Sequence, residues 1–174
     1  PKQEHLRANT IGWISTFFAT HEQSDQCTFA EIEVNPSKLM TESEAFAAIA
    51  LATVACDGVL GKDEAHALRL QLEYRTPYKD RSESEMAMLF DHLLKRLREK
   101  GSSQLIKDAL PQLKQSQQET ALAVAVQLVH ADRTVTTEEQ TFLDELAQSV
   151  ELPQGKAQAV MDAIMALNHD SLAS

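Results

Sequence analysis

Two acidic pairs hold the chemistry this chain could do, Asp57 with Glu64 and Asp132 with Glu139, the Glu standing seven residues after the Asp in each. The first turn reads D-G-x-L-x-x-D-E and the second D-R-x-V-x-x-E-E. An Asp, a Gly, an aliphatic residue and a closing Glu match the back half of a calcium-binding loop, where hard carboxylate oxygens suit a hard cation. The front half fails, because Thr53 and Ala55 in one copy, and Leu128 and His130 in the other, stand where its first two carboxylates belong. Calcium takes about six to eight oxygens. A divalent ion (Ca²⁺, Mg²⁺, Mn²⁺ or Zn²⁺) would therefore have to be shared among Asp57, Glu64, Asp132 and Glu139, with Asp63 and Glu138 as reserves.

A purely structural role competes for the same residues. Glu139 follows Thr136 by three, the spacing of a capping box, and Glu64 follows Gly61 equivalently, so both could simply start helices. Asp57 and Asp132 could end the preceding helices and bond the turn amides. A cap, however, asks only for one short polar residue, whereas here Asp and Glu recur together at one spacing.

Other reactive groups offer less. Cys56 adjoins Asp57, whose negative charge raises a thiol pKa, so Cys56 reads as a small buried hydrophobe rather than a nucleophile. His66 and His130 lie two residues from an acid, a separation that does not share a helix face, and read as ordinary helix residues. No HExxH, paired ExxH, GxSxG or phosphate-binding loop occurs, so no catalytic residue is assigned and no enzyme is expected.

The elements that must position the acids are helices. Thr41/Glu44, Ser82/Glu85, Ser116/Glu119 and Thr136/Glu139 each place a hydroxyl three residues before a Glu at the head of an apolar run. With Gly101 as a stop, Pro111 as a breaker and Pro153 suited to a first helical turn, the pattern predicts helices near 42–57, 62–74, 82–100, 103–114, 117–132, 137–149 and 154–168. Residues 1–40 form an arm in which Ile11, Trp13, Ile14, Phe17 and Phe18 suggest a leading helix, and 41–174 form the main domain. The aromatic spacing of that arm favours core packing over a partner or membrane surface.

Composition agrees. Ala and Leu number 44 while Val and Ile number 15, and Gly plus Pro come to 10, too few pleat-filling and turn-forming residues for a large sheet. The expected fold is all-α, a compact bundle of about seven to eight helices. A net charge of −10 disfavours nucleic acid and anionic lipid and favours cations or basic partners. The basic run 93–100 reads as the cation-rich end of its helix. Two cysteines, Cys27 and Cys56, make no disulfide framework or zinc site, which fits reduced thiols in the cytoplasm. Neither a membrane span nor a signal peptide is expected.

A shift of 75 residues superposes AIALATVACDGVLGKDEAHAL (48–68) on AVAVQLVHADRTVTTEEQTFL (123–143), with Ala48/Ala123, Val54/Val129, Asp57/Asp132, Glu64/Glu139 and Leu68/Leu143 identical. Each copy is an Ala-rich helix, an acidic turn and a second helix. Two pseudo-twofold-related halves would set the turns in comparable places, with the apolar, small-residue helices at the centre.

EAFAAIALATVACDGVLGKDE, VHADRTVTTEEQTFLDEL and the helical layout between them resemble the tellurite-resistance TerB family, over roughly 41–168. The resemblance implies a bundle of pseudo-twofold halves and a divalent-metal site on Asp57, Glu64, Asp132 and Glu139. Arg133 departs from the Gly of the first copy and would compete with a metal for Asp132. It further implies a non-enzymatic cytoplasmic component of a tellurium or chemical-stress response. Such a component would work with other proteins of that system, including membrane-bound ones that could hold it at the inner face. A helical interaction module without a metal is the alternative, and a homodimer is one assembly left open.

Overall fold

Residues 39–58, 60–131 and 134–169 are described by a computed structural model. Among them lie seven α-helices and no strand: α1 (Glu42–Val54), α2 (Lys62–Leu72), α3 (Glu83–Lys100), α4 (Ser102–Ala109), α5 (Gln115–Val129), α6 (Thr137–Ser149) and α7 (Lys156–Asn168). Short 3₁₀ turns at Tyr78–Asp80 and Leu110–Gln112 complete the chain path. The leading helix expected in the arm, with Trp13, Phe17 and Phe18, lies outside the described residues, as does Cys27.

Three expected capping boxes form in full. At Thr41, Ser82 and Thr136 the backbone amide donates to the Glu three residues on, at 2.7, 2.7 and 2.8 Å, while the hydroxyl accepts from that Glu's amide. The fourth, Ser116/Glu119, does not. Helix α5 starts two residues earlier than predicted, at Gln115, because Gln117 Oε1 accepts from the Lys114 amide at 2.7 Å and caps the helix there. Ser116 thus sits inside the first turn, and Glu119 pairs instead with Lys156 at 3.0 Å.

The stops are similarly physical. The Gly101 amide closes α3 on the Leu97 carbonyl at 2.8 Å with a φ of 78°, a conformation open to glycine. Pro111 acts as the expected breaker, but α4 ends at Ala109, short of the predicted 114, because the chain tightens into a 3₁₀ turn around the proline. Pro153 does not enter the first turn of α7. Its carbonyl accepts from Lys156 in a turn that precedes the helix, and left-handed Gly155 is the N-cap.

Helix α1 is the centre of the bundle. Ala45, Ala47, Ala48, Ile49 and Ala52 are all 0% exposed, so the helix has almost no solvent face. It packs most extensively on α4 and α5, and α5 packs as heavily on α7. The alanines let neighbouring axes approach closely, and Leu105, Leu122, Leu143 and Leu146 fill the space around them. The repeat is realised at element bounds: α1 ends at Val54 and α5 at Val129, α2 begins at Lys62 and α6 at Thr137, each pair 75 residues apart.

Two polar ties hold the layers. Buried Gln118 of α5 donates through Nε2 to the carbonyls of Leu110 and Leu113, both at 3.1 Å, and accepts at Oε1 from the Glu151 amide at 2.7 Å. Tyr78, also buried, donates its hydroxyl to the Ser43 carbonyl at 2.6 Å and so pins the first turn of α1.

Candidate functional site

The acidic turn after α1 is made by the end of that helix. Its amide bonds loosen to Cys56 N–H on Thr53 and Gly58 N–H on Ala55, which stops α1 three residues short of the predicted 57. Gly58 takes a φ of 83°, turning the chain and leaving Asp57 exposed at the corner. The next helix starts at once, with Glu64 in its first turn. The Glu64 carboxylate folds back over the α-carbon of Gly61, its N-cap, where a β-carbon would collide with Oε2. Glu139 occupies the equivalent place in α6. One of its oxygens accepts from both the Thr136 amide, at 2.8 Å, and the Thr136 hydroxyl, at 2.9 Å.

Tertiary packing brings these separate turns together. Asp57, Asp63 and Glu64 from the first copy and Glu139 from the second line one cavity of about 250 Å³, floored by Thr53, Val54, Leu128 and Val129. Thr53 is buried and spends its hydroxyl on the Ile49 carbonyl at 2.8 Å, so the floor is effectively apolar. His66 also borders the cavity, although its two-residue step from Glu64 argued against a shared face. His130 does not. As the C-cap of α5 its Nδ1 bonds the Val126 carbonyl at 2.8 Å. Glu138 is exposed in the first turn of α6 and is not part of the lining.

Cys56 registers the meeting of the two copies. Its half-buried thiol is pushed from 9.0 up to about 11, first by burial, then by the Glu139 carboxylate and then by Asp57. The upward direction follows from the neighbouring Asp57 in sequence. The larger electrostatic contribution comes from a residue in the other half of the chain, which no local reading could supply.

The donor set suits a hard cation in kind, being carboxylate oxygen with a protonated thiol beside it. It is incomplete in number. Among the described residues no three His, Cys, Asp or Glu side chains converge closely enough to hold one ion. Both glutamates lean towards their own helix starts, and Asp132, with Arg133 beside it, lies outside the described residues.

With this geometry in place, the comparison with protein families is decisive: the model of tellurite resistance protein TerB matches residues 43–170. The chain belongs to the TerB family. Searches of curated proteins and of solved structures each found no match. The TerB match takes in all seven helices from the first turn of α1 onward, and both acidic turns. Among the described residues no helix is long and apolar enough to cross a membrane.

Proposed function

We propose that this TerB-family chain is a non-catalytic, cytoplasmic component of a tellurium or chemical-stress response that binds a divalent cation weakly and couples it to partner proteins. The cation would be shared among Asp57, Glu64, Asp132 and Glu139, the partners being other proteins of that response, some of them membrane-bound. One observation carries this reading: carboxylates from both copies of the repeat border a single cavity, and the charge of Glu139 acts on Cys56 across the repeat. A cation entering there would draw the two glutamates off their helix starts, which keeps affinity low. The same movement would alter the acidic corner that a partner meets.

Calorimetric titration of Ca²⁺, Mg²⁺, Mn²⁺ and Zn²⁺ into the protein and into an Asp57→Asn/Asp132→Asn variant tests it. Saturable heat in the parent that vanishes in the variant is the expected result. Equal, negligible heats in both would remove the metal.

A second reading has its own support. Glu139 closes its capping box through one carboxylate oxygen and Glu64 is folded over Gly61, as a helix bundle serving purely as an interaction module would have them. On that reading Glu64→Gln leaves every binding property intact.

A further inference from the structure

At the other end of α1 and α5 from the acidic turns lies a cleft of about 760 Å³, within the roughly 300–1,000 Å³ of small-molecule pockets. Phe46 of α1, Arg75 and Pro77 of the turn after α2, Leu113 and Thr120 of α5 are among its walls. No described residue lines both this cleft and the acidic cavity. The aromatic and aliphatic walls suit an apolar body, and the charge that body should carry is set by the two charged side chains beside it.

One of the two is already matched. Glu42 accepts from Gln117 Nε2 at 3.1 Å and lies 3.4 Å from Lys114 Nζ. Arg75 is not matched. Its Nε donates to the Gln71 carbonyl at 2.6 Å and its guanidinium carbon stands 5.9 Å from the centre of the Phe46 ring, but no carboxylate among the described residues pairs with it. The bond at Nε and the ring hold the guanidinium in place, so its two terminal nitrogens form a fork that a carboxylate can take end-on. The first turns of α1 and α5 border the same space through Ser43 and Gln117, and the positive ends of helix dipoles favour an anion there.

We propose that this cleft binds a small organic carboxylate with an apolar, aryl-sized body. The carboxylate meets the terminal nitrogens of Arg75, and the body lies against Phe46, Pro77 and Leu113. An inorganic anion makes no use of the apolar walls, and a neutral or cationic ligand leaves the guanidinium unmatched. The site is separate from the acidic corner and from the proposed cation, so either can fail alone.

The probe is phenylpropionate, titrated to millimolar concentration into the isotopically labelled full chain and followed by backbone amide NMR shifts. Phenylpropionamide, phenylpropylamine and inorganic phosphate serve as its neutral, cationic and non-aromatic counterparts. Saturable shifts are expected at the amides of Phe46, Thr76 and Thr120, with affinity about tenfold weaker for phenylpropionamide and for the Arg75→Gln variant. Thr120→Trp keeps Arg75 but fills the cleft from an exposed position, and should abolish the shifts. The Thr120 hydroxyl bonds only the Ser116 carbonyl one turn back, so this variant should keep the parent's circular dichroism melt and decides the matter if Arg75→Gln does not fold. No saturable shift, or shifts that survive Thr120→Trp, overturns the proposal. So does equal affinity for the amide, the amine or phosphate.

Discussion

Cys56 is the residue whose chemistry reports most directly on the site. Its thiol is held up by burial and by two carboxylates, one of them supplied by α6. Removing the Glu139 charge should lower the thiol pKa, because a thiolate no longer faces that carboxylate. In a Cys27→Ser background, Glu139→Gln is therefore expected to speed alkylation by iodoacetamide at mildly alkaline pH, where thiolate fraction sets the rate. An unchanged pH–rate profile would mean that Glu139 and Cys56 do not sense each other. The matching places of Asp57, Glu64 and Glu139 in a repeat were legible from their spacing alone. The partners that complete the picture were not. Gln118 bonds Leu110, Leu113 and Glu151, and the last of these lies 33 residues away, so nothing in its neighbourhood marks it as a buried tie.

At the level of elements, local rules worked wherever the deciding contacts were local. Capping boxes at Thr41, Ser82 and Thr136 are closed by residues three apart, and each placed its helix start within one residue. The miss at Ser116/Glu119 has the same physics, since Gln117 competes for the Lys114 amide and wins two residues upstream. A search for hydroxyl and Glu passes over a start closed by Gln. The contrast is measurable. Thr136→Ala should cost about 1 kcal/mol in urea unfolding, the usual worth of an N-cap. Ser116→Ala, inside the first turn of α5, should fall within about 0.5 kcal/mol of the parent. Equal losses in the two would contradict the observed start of α5.

For the molecule as a whole, alkaline pH should be the vulnerable side. Cys56 and Tyr78 are both held protonated in the fold, with burial the largest cause at each. A group whose folded pKa is raised contributes stability that is complete below its unfolded pKa and is lost as pH rises through the folded one. For Cys56 that window runs from 9.0 to about 11, and Tyr78 adds a loss of the same sign from its ordinary value near 10 upward. The urea midpoint should accordingly fall between about pH 8 and pH 10. Tyr78→Phe should lessen that fall while lowering the midpoint at pH 8, through loss of the bond to the Ser43 carbonyl. The global fold class was readable from composition, because surplus Ala and Leu with scarce Gly, Pro and β-branched residues leaves helices as the economical way to bury a core.

The near-complete burial of α1 from Ala45 onward bears on how this chain could arise or be divided. A helix with almost no free face cannot be solvated alone, and its main neighbours α4 and α5 both belong to the later half of the sequence. Neither copy of the repeat is thus a self-sufficient unit. A break in the backbone near Gly101 would leave two fragments that recover their helices only by reassociating, and shuffling one half into another protein would carry a greasy, unfinished surface with it.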